Sequence, residues 1–126
     1  MESKGLCMIE AGKSINEIEE FLKSNKNALL TLVAVVSDPD NGVDREYKYV
    51  FKPSGRIRQS AELIDCLFIG FENMITINPD GTIDVYEKTA QYNEIGFTDG
   101  DYIIKSSPAE VKAFNKCMKI RKYNSK

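Results

Sequence analysis

Residues 74–87 read Met-Ile-Thr-Ile-Asn-Pro-Asp-Gly-Thr-Ile-Asp-Val-Tyr-Glu, two alternating runs joined by a turn sequence. Isoleucine, valine and threonine fill both runs, and these residue types suit a pleated, half-buried strand. Pro79 fixes the first central dihedral of the turn, and Gly81 can adopt the positive φ of a bulged hairpin loop. The stretch therefore predicts a β-hairpin.

A capping box predicts the first helix. Ser14 is followed three positions later by Glu17, and a hydroxyl and a glutamate at this spacing satisfy the first free amides of a helix. Asn25 or Asn27 is a suitable stop. Apolar residues at helical spacing form the predicted buried stripe: Ile15, Ile18, Phe21 and Leu22. The other side carries Glu17, Glu19 and Glu20, which suit either a solvated face or a contact surface.

The residues between that helix and residue 52 predict another hairpin. Residues 28–36 are almost continuously apolar, which is typical of a central strand covered on both faces. Turn-forming residues at 38–42 break this run, and residues 43–52 then alternate. One face of the alternating arm is expected to turn its aromatic residues toward the core. That face carries Val43, Arg45, Tyr47, Tyr49 and Phe51.

Residues 60–71 are interpreted as a short helix that joins a strand near Leu67. Gly70 within that strand indicates a bulge or a close backbone approach. Residues 88–93 are polar and predict a loop or an irregular edge strand. A turn at 98–101 then precedes a short strand at 102–105.

A second capping box begins the last predicted helix. Ser107 and Glu110 have the required spacing, and Pro108 occupies the favoured first helical position. The helix is expected to run to about Lys122. Its predicted buried stripe is Val111, Phe114, Cys117 and Met118, flanked by Ala113 and Ile120.

The last third of the chain carries one resemblance. Gly100-Asp101-Tyr102-Ile103-Ile104-Lys105, followed by Ser107-Pro108-Ala109-Glu110-Val111, resembles the ending of small uncharacterised proteins in phages and mobile elements of Bacteroidetes. Those proteins often pair a Gly-Asp strand with a short helix of the Thr-Pro-Glu-Glu type. Serine replaces the threonine here, and alanine replaces the first glutamate. The resemblance implies no activity, and it points to a phage or bacterial accessory gene.

Length and composition predict one α+β domain over residues 1–126. The hydrophobic share of 42% and the charged share of 29% match globular usage and exclude a disordered chain. The three cysteines are widely separated and suggest neither a disulfide framework nor a zinc site. We expect a helix at each end and a mostly antiparallel sheet of five to seven strands, either open or curled toward a small barrel.

The absence of histidine narrows the functional classes. It excludes Ser/His and Cys/His nucleophile pairs, imidazole bases and histidine metal sites. The chain carries no cofactor fingerprint, and the apolar run from Leu6 to Ile9 is too short for a signal peptide. The leading hypothesis is a non-enzymatic cytoplasmic protein, without cofactor or metal. It would occupy a macromolecular partner, as immunity proteins and phage-encoded inhibitors do.

A second hypothesis is the binding of a small phosphorylated ligand or nucleotide. Arg56 and Arg58 would share one face if their segment is extended, and arginine forks bind phosphate bidentately. Arg45 would complete the cluster, and Tyr47 or Tyr49 would stack on a base. This hypothesis requires the three arginines to converge in one concave pocket.

Basic residues concentrate on the last predicted helix. They are Lys112, Lys116, Lys119, Arg121, Lys122 and Lys126. A nucleic-acid-binding accessory protein would use them as phosphate contacts. However, cations near a helix C-terminus also favour the helix dipole, and a net charge of -2 lacks the basic excess of most nucleic-acid binders. Nucleic acid is therefore the less favoured partner.

Carboxylates offer the remaining catalytic or metal-binding groups. The two sets are Asp38, Asp40 and Asp44, and the pair Asp99 and Asp101. Either set would need to converge in a cleft. A calcium loop requires glycine at its sixth position and glutamate at its twelfth, where this chain has valine and tyrosine. The first set therefore predicts an aspartate-rich turn.

Overall fold

The computed structural model describes residues 7–62, 66–86 and 93–124, and the side chains of residues 7–62, 66–86 and 93–120. The described elements, in chain order, are β1 (Met8–Glu10), α1 (Ile15–Ser24), β2 (Leu30–Asp38), β3 (Val43–Gln59), β4 (Leu67–Ile77), β5 (Ile83–Val85), β6 (Glu94–Phe97), β7 (Tyr102–Lys105) and α2 (Pro108–Asn124). The expected α+β class is confirmed.

The seven strands form one antiparallel sheet in the order β1-β7-β2-β3-β4-β5, and β6 pairs with β4. Since β3 occupies one edge of β4, β5 and β6 share the other edge at its two ends. Within the described residues, the end strands β1 and β5 do not pair with each other. The sheet is therefore open and does not close into a barrel.

The hairpin predicted from residues 74–87 is confirmed through Tyr86, while Glu87 lies outside the described residues. Ile77 pairs with Ile83, and the Asn78 amide donates to the Thr82 carbonyl at 2.8 Å. Gly81 has φ +90°, a conformation that an L side chain rarely adopts. The turn residues thus fix the register of β4 and β5.

The β2–β3 hairpin is also confirmed, with Asp38 opposite Val43 across its turn. The expectation that residues 28–36 are covered on both faces is wrong for their second half, because Val35 and Val36 are exposed. β7 pairs with β2 at Leu30–Val33, so among the described residues the outer half of β2 has β3 as its single neighbouring strand. The hairpin therefore projects beyond the seven-stranded part of the sheet.

The two helices cover opposite faces of the sheet. Phe51 belongs to the larger core cluster, which includes Phe21 of α1. Its neighbour Val50 points to the other face and packs with Phe114 of α2. Along the arm with alternating residues, the expected inward face is confirmed at Phe51. Tyr47 and Tyr49 on the same face are half-buried, and Val43 and Arg45, nearer the turn, are exposed.

The first capping box starts α1 as expected. The Ser14 hydroxyl accepts a hydrogen bond from the Glu17 amide at 3.2 Å. Asn25 ends the helix, and its side-chain amide donates to the Phe21 carbonyl at 2.8 Å. Ile18, Phe21 and Leu22 are buried.

The second capping box is reciprocal. The Glu110 amide donates to the Ser107 hydroxyl at 3.2 Å, and the Ser107 amide donates to Glu110 Oε1 at 2.8 Å. α2 then runs two residues beyond the predicted end. Of the predicted stripe, Phe114 is buried and the other three members are half-buried, whereas the flanking Ile120 is exposed.

The close backbone approach predicted at Gly70 is confirmed. A Cβ placed there would lie 2.6 Å from Ser54 Oγ and 3.0 Å from Arg56 Cβ. The pairing of β3 with β4 shifts register on both sides of Pro53, because proline cannot donate a ladder hydrogen bond. Gly70 thus gives the irregular part of β3 the space that a larger side chain would occupy.

Two expected segments lie partly outside the described residues. Of the helix predicted before Leu67, residues 63–65 are not described, and the Ser60 hydroxyl accepts from the Glu62 amide at 3.2 Å, as in a local turn. The strand starts at Leu67, as expected. Of the loop at 88–93, only Asn93 is described.

β1 was not predicted, because three residues provide too little periodicity.

Candidate functional site

The projecting part of the β2–β3 hairpin exposes apolar side chains. We define the hairpin end as residues 35–47 together with the adjacent turn at residues 78–82. Val35, Val36 and Val43 within it are 43%, 51% and 56% exposed. Val36 and Val43 lie on the same face as diagonal neighbours across the strand pair. Exposed valines concentrated at one projecting end are typical of a contact surface.

The structure brings Arg45 and Tyr47 of the predicted ligand set together at this end. Both line a cleft of about 290 Å³ with Asn78, Pro79 and Asp80 of the neighbouring turn. The Arg45 guanidinium lies 3.6 Å from Asp38 Oδ2. Arginine and tyrosine are enriched among the residues that dominate protein interfaces.

Tyr49 lies nearer the core than Tyr47. Burial raises the pKa of its hydroxyl, and Tyr47 and Asp101 add to the shift. Tyr49 is half-buried and packs against the larger core cluster. Its ring is therefore part of the core packing and is less available than an exposed ring for stacking on a ligand.

The hairpin end is acidic. It holds five carboxylates and one guanidinium, and the carboxylates are Asp38, Asp40, Asp44, Glu46 and Asp80. The side-chain amide of Asn41 donates to Asp38 Oδ2 at 2.7 Å, and this bond is the main cause of the lowered pKa of Asp38. The hydroxyl of Thr82 donates to Asp80 Oδ1 at 2.6 Å and lowers the pKa of Asp80. Both carboxylates therefore stay ionised in mildly acidic solution.

The arginines do not converge. Arg58 donates to Glu94 through Nε at 3.0 Å and through Nη2 at 2.9 Å, and its guanidinium lies 4.5 Å from the centre of the Phe68 ring. Arg45 pairs with Val36 of β2, whereas Arg58 pairs with Phe68 of β4. The two arginines are 13 positions apart along β3, on the order of 40 Å at about 3.3 Å per residue. The structure therefore does not form the pocket of three arginines.

Residues 52–55 of β3 instead line a cavity together with lysines. The cavity measures about 480 Å³, and Lys23, Lys26 and Lys52 contribute to its wall, as do Glu19 and Glu72. Arg56 is exposed, and neither Arg56 nor Arg58 is part of this wall. Nothing in the sequence indicated that Lys23 and Lys26 would contribute, since Lys23 lies in α1, Lys26 follows it, and both approach β3 only through the packing of α1 on β3.

The basic residues of α2 whose side chains are described lie on one side of the helix. Lys112, Lys116 and Lys119 are exposed and follow the spacing of neighbours along a helix. The side chains of Arg121 and Lys122 lie outside the described residues. The three exposed lysines form a narrow basic stripe. The hairpin end is acidic, so it does not add to this basic surface.

In each of the predicted carboxylate sets, an aspartate accepts a hydrogen bond from a backbone amide of its own turn. Among the described residues, no group of three carboxylates or thiols lies close enough to hold a metal ion. Asp38 caps its own turn, and Asp101 accepts from the Thr98 amide at 3.1 Å. Burial raises the pKa of Asp101, the Thr98 hydrogen bond opposes this rise, and the charge of Asp99 adds to it. A carboxylate cleft is therefore not formed by these residues.

Comparison with other proteins identifies no relative. No protein-family model matches the chain, and no curated protein or solved structure matches it significantly. Neither of the described helices is long and apolar enough to cross a bilayer.

Proposed function

We propose that this chain is a non-enzymatic binding protein that acts by occupying a protein partner through the hairpin end. The observation that carries the proposal is the exposure of Val36 and Val43 beside Arg45 and Tyr47 on one projecting face. Apolar side chains around a tyrosine and an arginine supply burial and directed contacts in one patch. An immunity protein or a phage-encoded inhibitor, working in the cytoplasm, is the type of protein that we envisage.

The charge of the hairpin end favours a partner with a basic surface. Its carboxylates outnumber its cations, and hydrogen bonds keep Asp38 and Asp80 ionised. The negative electrostatic potential of this surface attracts basic protein surfaces and repels nucleic-acid phosphates. The nucleic-acid hypothesis would have to rely on the lysine stripe of α2, so a protein partner is the better supported proposal.

The two turns also reduce the entropic cost of binding. Asp38 accepts from the Asp40 amide at 3.0 Å, and Asp80 accepts from the Thr82 amide at 2.9 Å. Asn78 further donates to Asp84 at 2.9 Å. These bonds hold the hairpin end in one conformation before a partner arrives, and less ordering is then needed on association.

The combined substitution Val36→Ser and Tyr47→Ala tests this proposal. We expect the variant to retain its partner from a lysate of the source organism at least about tenfold more weakly, because the substitutions remove the exposed Val36 side chain and the Tyr47 ring that lines the adjoining cleft. Retention on immobilised protein is quantified at increasing variant concentration, and circular dichroism checks the fold. The matched control, Lys112→Gln with Lys116→Gln on α2, should retain the partner normally. Equal retention by the two variants would contradict the assignment of this surface.

A phosphorylated ligand is a second candidate, supported by the lysine cavity. Lys23, Lys26 and Lys52 line the cavity at residues 52–55 of β3 and offer ammonium donors to a phosphate. Titration with ATP, followed by nuclear magnetic resonance, should shift the backbone amides of Lys52, Ser54 and Gly55, and Lys26→Gln with Lys52→Gln should weaken binding about fivefold. The α2 double variant serves again as control. Unchanged spectra at millimolar ATP would remove this candidate.

A further inference from the structure

A groove lies between the edge strand β1 and helix α1. β1 forms the edge of the sheet opposite to β5. The groove measures about 510 Å³, a size typical of ligand-binding pockets. Ile9 and Phe21 contribute apolar surface to its wall, and Glu10, Glu17 and Glu20 contribute carboxylates. Among the described residues that line the groove, Lys13 is the single cation. The groove is thus apolar with an acidic border.

The strand that borders the groove has backbone groups directed away from the sheet. The Ala11 amide donates to the Asp101 carbonyl at 2.9 Å, so Ala11 faces β7. Residues two positions apart along a strand point the same way, and Ile9 therefore also faces β7. The N–H and C=O groups of Met8 and Glu10 consequently point toward the outer edge. In the described residues, β1 pairs with β7 alone.

We infer that this groove binds an extended basic segment of another protein, which adds as an antiparallel strand to β1. The outward groups of Met8 and Glu10 would pair with its backbone, and an apolar side chain opposite Ile9 would enter the groove. Lysines or arginines on either side of that residue would meet Glu10, Glu17 and Glu20. Backbone pairing supplies general affinity, while the acidic border selects for basic residues.

The acidic border also argues against a second copy of this chain as the occupant. Two β1 edges placed side by side would bring the same three carboxylates of each copy together, and like charges in a contact oppose association. A basic segment gains from the same charges. The site is separate from the hairpin end, so the proposed function and this inference can fail independently.

The test uses the fluorescein-labelled peptide Gly-Lys-Lys-Val-Lys-Lys-Gly, which places a valine between lysines in either strand direction. Hydrogen exchange of the full chain should show slower exchange at the Met8 and Glu10 amides when peptide binds, with Ile9 and Ala11 unchanged. Methylation of the backbone nitrogens of the third and fifth peptide residues keeps the charges but removes two hydrogen bonds. We expect this peptide to bind about tenfold more weakly.

Two protein variants separate the groove from general electrostatic attraction. Glu17→Gln with Glu20→Gln should weaken peptide binding about fivefold, since two exposed ion pairs are lost. Glu62→Gln with Asp84→Asn makes the same change in charge at exposed positions outside both the groove and the hairpin end and should leave the affinity unchanged. Equal effects of the two variants would overturn the inference. So would equal binding of the methylated peptide, protection of Met8 and Glu10 by self-association without peptide, or no binding at millimolar peptide.

Discussion

Phe51→Ala is expected to lower the free energy of unfolding by about 3–5 kcal/mol, the usual cost of removing a buried aromatic ring from a core. Phe51 is 0% exposed, pairs with Leu30 on β2 and belongs to the cluster that joins the sheet to α1. Removing the ring leaves a cavity, and the apolar side chains that line the cavity lose their packing contacts. Urea denaturation followed by circular dichroism measures the loss.

Tyr47→Ala provides the matched control for that substitution. Tyr47 lies on the same face of β3, four positions nearer the turn, but it is half-buried and outside the reach of α1. Its removal should therefore cost roughly 1 kcal/mol of unfolding free energy, as is usual for a partly exposed site. If the two variants lost equal stability, the core would extend into the hairpin end, and the proposed contact surface would be part of the fold.

Glu110→Ala is expected to lower the free energy of unfolding by about 2–3 kcal/mol, because a buried acceptor and a helix cap are lost together. Glu110 is 8% exposed and accepts from the Thr31 hydroxyl at 3.0 Å as well as from the Ser107 amide. Lys48 Nζ lies 3.6 Å from its other oxygen. The carboxylate thus anchors the start of α2 to β2 and β3. Chemical denaturation at neutral pH measures the effect.

The contribution of Glu110 should depend on pH with a defined sign. Burial alone would raise its pKa, but hydrogen bonds from Ser107 and Thr31 and the charge of Lys48 together lower it below the ordinary 4.5. A lowered folded-state pKa means that stabilisation is present above the unfolded-state pKa and is lost as pH falls through the folded-state pKa. The stability difference between the wild type and Glu110→Gln should therefore shrink in acid. A difference that stayed constant would show that the charge plays no part.

The local elements could be predicted from sequence because their signals lie within a few residues. Asn78 to Thr82 carry their own turn chemistry, and Ser107 with Glu110 carry their own cap. Gly70 was also interpretable, since a glycine inside a strand indicates missing space for a side chain. What these signals could not show was how far β2 is covered. That depends on the length of β7, some 70 positions later in the chain.

The candidate sites depended more heavily on long-range packing. The predicted cluster of Arg45, Arg56 and Arg58 does not form, because Arg45 and Arg58 lie near opposite ends of β3, a strand of 17 residues. The acidic side of α1 was visible in the sequence, and a contact surface was one of its two interpretations. Its neighbour β1 was not recognised, because that strand acquires its pairing only from β7.

The most direct measurement for the central claim is site-specific photo-crosslinking at Val36 in a lysate of the source organism. A photo-reactive residue at this position should capture one protein whose capture is abolished by Tyr47→Ala and reduced at high salt, since the hairpin end combines apolar and charged contacts. The same reactive group at Lys112 on α2 should not capture it. Equal capture from both positions, or none from Val36, would contradict the account that the hairpin end binds a protein partner.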